Sequence, residues 1–319
     1  MLAFFASLSP LALFRACPGG IAQGLIWGIM ALGVYISFRM LDFADLSVDG
    51  SMATGGAVSI MLILNGWNPE LSLLIAFVVG VAAGIVTGLL HTKLGIPAIL
   101  AGILTQISLY SINLNIMGKA NQAINAGTTS LRVTSNSNYI GRTILILAIF
   151  CAVLIAVTYC YLGTEHGSAL RATGINKNMA RAQGINTQVM TIVGLAISNG
   201  LVALAGGMLS QYQGFADVNM GRGAIVIGLA AVIIGEVLGG AIFKRMNFVL
   251  RLSFVVLGGI IYYLVYVFVL WLKFPANDMK LLTAIVVAIF LAVPYLKGKS
   301  KSSFSRVAKH NRKMRKEGK

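Results

Sequence analysis

The chain has 319 residues, of which 57% are hydrophobic and only 11% charged, with 36 glycines against 6 prolines. Soluble domains carry roughly 25% charged residues, so repeated apolar runs of about 20 residues point to a polytopic α-helical membrane protein, and their continuity excludes the short alternating strands of a β-barrel. The net charge of +16 is concentrated at one end: residues 297–319 hold ten Lys/Arg and one Glu, the pattern of a basic tail after a span and not of a nucleic-acid-binding surface.

In chain order, residues 1–16 lack the basic start of a cleaved signal peptide and read as a short interfacial or half-spanning helix broken at Pro10. Cys17 follows in a weak lipoprotein-like box spoiled by Phe14 and Arg15. Eight spans are expected at 20–38, 50–64, 71–90, 96–117, 143–162, 187–209, 224–243 and 252–271, with a shorter ninth at 281–296. The spans and their loops form one domain over 1–296, and 297–319 is a basic tail expected to be disordered. Gly20, Gly24 and Gly28, and again Gly80, Gly84 and Gly88, repeat every fourth residue, the spacing that lets membrane helices approach closely. Packing within the chain is the expected use, a dimer face the alternative.

The stretch 41–57 carries Asp42, Asp45 and Asp49, three of the nine acidic residues, and enters a short span rich in Gly, Ser and Thr. Ser47, Ser51 and Thr54 can re-satisfy backbone groups where a membrane helix is interrupted. One reading is a broken or re-entrant second helix beside a permeation path, with any membrane-buried Asp paired or protonated. The other is an ordinary solvated turn, and the residues leave both open. In the fourth span Gln106, Tyr110 and Asn113 recur at i, i+4 and i+7 on one face, with Ser108, Ser111 and Asn115 opposite. Amides are costly against lipid, so the first face is expected to meet a cavity and the second to bond neighbouring helices.

Between the fifth and sixth spans lies a polar island, 162–186, in which Arg171-Ala-Thr-Gly-Ile-Asn176 is echoed ten residues later by Arg181-Ala-Gln-Gly-Ile-Asn186. Each copy reads as a short helix stopped by a left-handed glycine, Gly174 or Gly184, with Asn176 or Asn178 capping the second. Such a helix-turn-helix suits docking, although an ordinary loop is the alternative. Placing island and tail on one side collects eighteen Lys/Arg there against seven opposite, which makes that side cytoplasmic. His91, His166 and His310 have no partners at metal-ligand spacing. Gly298-Lys299-Ser300 lacks the preceding glycine and strand of a phosphate loop. No catalytic, metal or cofactor site is expected.

The run from Asp45 to Ser51, DLSVDGS, resembles the D-L-S-V-G-S signature of sugar-type ABC importer permeases with Asp49 inserted. The approach, Gly33 to Ala44, resembles the region before the N-F-A-H-G element of branched-chain amino-acid permeases, without its His-Gly. Gly174, Asn176, Ala180 and Gly184-Ile185 match the coupling loop of that superfamily, and the likeness covers about residues 20–295. LDFADLSVDGS and LLHTKLGIPAILAGILT are similar to stretches of permeases that accompany tryptophan-type binding proteins.

The resemblance implies a permease in the cell membrane that works with a second permease chain, most simply as a homodimer. It also implies cytoplasmic ATPase subunits that bind the ATP and an extracytoplasmic binding protein that delivers an amino acid, possibly aromatic, or a similar small solute. On this reading Glu165, Arg171, Gly174, Asn176, Arg181 and Gly184 couple to the ATPase, and Asp45, Ser47, Ser51, Gln106, Tyr110 and Asn113 line the translocation path. The competing class is a self-contained secondary transporter that uses Asp42, Asp45 or Asp49 as ion or proton sites.

Overall fold

A computed structural model describes residues 10–124, 140–243 and 246–272, with isolated helical positions at Leu281, Ile285, Ala288 and Ala292. Apart from those positions, the ninth expected span and the basic tail lie outside the described residues. The chain divides into two compact units, Met1–Leu272 and Lys273–Lys319, and the first holds the helical bundle. Its helices are α1 (Pro10–Val34), α2 (Val48–Leu64), α3 (Pro69–Thr92), α4 (Ala98–Met117), α5 (Ile140–Gly163), α6 (Glu165–Ile175), α7 (Lys177–Ala182), α8 (Thr187–Gln213), α9 (Ala224–Ile242) and α10 (Phe248–Trp271). Seven of the described helices are long and apolar enough to cross a membrane, and α2 is a shorter apolar helix. All eight expected spans appear, seven of them within a few residues of their expected ends, while the first begins ten residues earlier, at Pro10.

Three differences from the sequence reading stand out. The chain from Pro10 runs unbroken into the first span, straight through Pro18, so residues 10–16 belong to α1 and form no separate half-helix. The last turn of α1 then widens into a π-helix over Tyr35–Met40, a geometry often found at functional sites. Two three-residue strands, β1 (Asn121–Ala123) and β2 (Phe215–Asp217), pair antiparallel with Gln122 opposite Ala216. They close over the end of α2, where Ala57, Ile60 and Ile63 pack with Met117, Ala216 and Val218.

The glycine ladders pack within the chain. A Cβ added at Gly24 would lie 2.6 Å from Ile260 Cα, and one at Gly28 3.1 Å from Val256 Cα, so α1 and α10 touch backbone to backbone. Gly80, Gly84 and Gly88 do the same for α3 against Asn199, Leu195 and Ile192 of α8. Lipid offers no hydrophobic drive to join helices, and this close approach supplies dispersion contacts in its place. The result is a centre made of α2, most of α8 and the part of α1 from Gly24 onward, which are largely buried, with α4 and α5 presenting Leu104, Ile107, Leu145, Ile149 and Val153 outward.

Candidate functional site: a re-entrant segment, a wall cavity and a loop hairpin

After the π-turn the chain does not leave the bundle. Asp42 reverses it in the left-handed region, at φ 51°, and residues 42–45 run back inward without helical structure until α2 begins at Val48. Leu41, Phe43, Asp45 and Ser47 are all buried, so the backbone polar groups here need partners within the protein. Asp45, 1% exposed, supplies one set. Ser47 donates to its Oδ1 through the backbone N–H at 2.9 Å and the hydroxyl at 2.5 Å.

Asn199 of α8 holds the side chains of this cluster. Its Nδ2 donates to Asp45 Oδ2 at 2.7 Å and to Leu195 O at 3.1 Å. Its Oδ1 accepts from Ser51 Oγ at 2.6 Å and lies 3.1 Å from Ser47 Oγ. Asn199 is twelve residues from the start of α8 and fourteen from its end, so the cluster sits near mid-span, about 18–21 Å from either end. Thr54 donates to Gly50 O at 2.9 Å within α2. Asn199 carries no sequence signal, since it lies in a small-residue span 154 positions from Asp45.

The three carboxylates have three different fates. Asp42 is exposed at the reversal, and Asp45 is held by Ser47 and Asn199. Asp49, in the first turn of α2, accepts from Gly223 N at 2.9 Å and Ile225 N at 3.0 Å. It thereby caps the start of α9, whose own residue there, Gly223, has no side chain to do so. A carboxylate suits the positive end of a helix dipole.

Beside Asp49 lies a cavity of ≈ 270 Å³. Gln106, Tyr110 and Asn113 of α4 all line it, facing Asp49 and Gly50 of α2 with Val218 and Arg222 across from them. The structure thus brings together the three α4 residues singled out by their spacing. Asn113 is 1% exposed, and neither its Oδ1 nor its Nδ2 has a hydrogen-bond partner among the described residues. Arg222 is exposed, and the ion pair among the described residues joins Arg39 to Glu236 at 2.9 Å, leaving Arg222 without one. Asp45, Ser47 and Ser51 are not among the lining residues; they stand behind it as the support of the broken segment. Among the described residues the opposite face of α4 shows no bond to a neighbouring helix, contrary to expectation. Ser108, Ser111 and Asn115 are exposed, and Ser108 donates to Leu104 O within its own helix.

The polar island folds as two short helices. Thr164 caps α6 by accepting from Gly167 N at 3.3 Å, with Glu165 exposed in the first turn. Asn176 caps α7 by accepting from Asn178 N at 3.0 Å and Met179 N at 3.1 Å. Gly184 is left-handed at φ 80°, but Gly174 is not. It is helical, and α6 continues to Ile175. Its glycine serves close approach instead: a Cβ there would run into Met40 O, at the end of the π-turn. Arg171 places its guanidinium carbon 5.9 Å from the Phe248 ring centroid, anchoring α6 to α10. Arg181 donates to Thr187 Oγ1 at 2.9 Å, tying α7 to the start of α8. Two residues missed by the sequence reading dominate the tip, Ile175 at 86% and Met179 at 65% exposed. Their only signal was an apolar side chain in a polar island.

A bundle of membrane-length helices, a shorter apolar helix entered by a buried re-entrant segment, and a helical hairpin touching the entry to that segment fit a membrane transport permease. The match to families is direct: residues 18–293 fit the family described as branched-chain amino acid transport system / permease component, and the chain belongs to it. It is 42% identical over 272 residues, 85% of this chain and 88% of the other, to a tyrosine transport system permease protein of Clostridioides difficile (strain R20291). An uncharacterised protein of Rickettsia prowazekii (strain Madrid E) is 32% identical over 85% of this chain and 94% of its own. An autoinducer 2 import system permease of Salmonella paratyphi B is 32% identical over 67% of this chain and 62% of its own. No solved structure matches the chain. The chain is a multi-pass permease of the ABC importer class.

Proposed function

We propose that this permease carries an amino acid, aromatic in side chain, along the face of α4 that holds Gln106, Tyr110 and Asn113. The hairpin α6–α7 docks on a separate cytoplasmic ATPase, the basic tail lies on the same side, and two copies of the chain enclose the path. A binding protein on the other side delivers the solute. The observation that carries this reading is the position of α6. Gly174 abuts Met40 O, and Leu41 and Leu170 both pack against Gly194 of α8. A push on the hairpin therefore bears on Met40 and Leu41, at the entry to the re-entrant segment, and the helix that this segment leads into, α2, puts Asp49 and Gly50 on the cavity wall. Packed helices transmit such displacements as rigid bodies. The exposed Ile175 and Met179 offer an ATPase groove apolar surface to bury. The aromatic preference rests on the 42% identical tyrosine transport permease.

The secondary-transporter alternative loses its support in the same geometry. Asp45 is held by Ser47 and Asn199, so the carboxylate deepest in the bundle has a structural task. The test is binding-protein-stimulated ATP hydrolysis by the reconstituted complex. Gly174→Val, which forces α6 off Met40, and Arg181→Glu, which breaks the tie to Thr187 and reverses charge at the docking face, are expected to insert and dimerise yet lose stimulation. Full stimulation and full uptake in both would overturn the coupling role.

A further inference from the structure

We infer that the wall cavity is itself a binding site for a free amino acid, with Arg222 holding the α-carboxylate and Asp49 the α-ammonium. The inference rests on the importer reading and adds a defined station on the path. The cavity offers one formal charge of each sign, Arg222 and Asp49, which is the complement of a zwitterion and a poor match for a polyanion or an uncharged polyol. Arg222 pairs with no acidic side chain among the described residues, and a guanidinium presents a planar fork suited to a carboxylate. Asp49 accepts two backbone N–H bonds, while a carboxylate has about four lone-pair sites, so it retains capacity for an ammonium.

Asn113 is the independent sign of a ligand. A fully buried amide with no partner is costly, and this one lines the cavity with both its donor and its acceptor unused. Gln106 offers a second amide, and Tyr110 a ring that can lie along an apolar or aromatic side chain. The volume, ≈ 270 Å³, falls just under the ~300–1,000 Å³ of drug-sized sites, which suits a single amino acid and not a peptide.

The experiment is equilibrium binding to the complete permease–ATPase complex in lipid nanodiscs, without binding protein. Radiolabelled L-tyrosine, L-phenylalanine and L-leucine are the probes, and tyramine, which lacks the carboxylate, is the competitor. Saturable binding of at least one probe is expected, uncompeted by tyramine. Arg222→Gln is expected to weaken it about tenfold or more, with Arg222→Lys restoring part of the loss. Arg222 is exposed, so these variants leave the fold intact; Asn113→Leu is expected to weaken binding as well. No saturable binding by any probe, binding indifferent to Arg222→Gln, or competition by tyramine equal to that of the amino acids would each overturn the site. Stimulated ATP hydrolysis by the wild-type complex is read in parallel. Its absence would sink the importer reading, whereas saturable Arg222-dependent binding would still establish the site.

Discussion

Two asparagines, both fully buried in membrane helices, have opposite surroundings. Asn199 uses its amide completely, bonding Asp45 and Leu195 through Nδ2 and Ser51 through Oδ1. Asn113 uses none of its amide among the described residues. The first region is a scaffold: a break in a helix is held open at mid-span by a closed set of hydrogen bonds. The second is a surface kept polar at a cost in stability, the pattern expected where strain or an unmet hydrogen bond serves a ligand. Burial alone therefore does not separate structural from functional polar residues in this bundle; the state of their hydrogen bonds does.

The comparison breaks first at Asn199. Asn199→Leu leaves Asp45 Oδ2 and Ser51 Oγ without their partner, while Ser47 still bonds Asp45 Oδ1; at ~1–3 kcal/mol for each buried group left unsatisfied the loss is about 2–6 kcal/mol. The expected outcome is a large drop in thermal stability in detergent, or failure to accumulate in the membrane. Stability close to wild type would mean that the cluster does not hold the re-entrant segment.

Asn113→Leu should move the other way. Removing an unpaired buried amide of similar size is expected to leave stability unchanged or raise it by about 1–2 kcal/mol, while uptake falls. A loss of stability matching that of Asn199→Leu would erase the distinction between the two regions.

Smaller effects sharpen it. Ser51→Ala removes one bond to Asn199 Oδ1, which retains Ser47 nearby, and is expected to cost about 1 kcal/mol. Asp49→Asn turns one of two acceptors facing Gly223 N and Ile225 N into a donor and weakens the cap on α9, again by about 1 kcal/mol. Both are read as shifts in unfolding temperature, and a shift several times larger in either would tie the cavity wall to the scaffold.

Much of this was legible in the sequence, and the reasons differ by feature. Spans announce themselves as continuous apolar runs, so α3, α5 and α10 needed no other information. The hairpin was visible in the repeated Arg-Ala-x-Gly-Ile-Asn unit, and Asn176 caps α7 as its position suggested. Gly174 was misread because a glycine signals either a left-handed turn or a close approach, and only the neighbour, Met40, decides which. The face of Gln106, Tyr110 and Asn113 was readable from helical periodicity, but its complement was not. Asp49 and Arg222 reach the cavity through packing between distant segments, Arg222 more than a hundred residues from the α4 face it meets. Strands of three residues fall below any periodic signal, which is why β1 and β2 were unforeseen.

The central proposal is that Asn113, on the cavity face of α4, is left unsatisfied for the solute. Its most direct test is ATP-driven uptake of L-tyrosine into proteoliposomes by the complete transporter with wild-type or Asn113→Leu permease, measured beside the unfolding temperature of each. The account predicts uptake reduced about tenfold at unchanged or higher stability. Wild-type uptake at full stability in Asn113→Leu would contradict it.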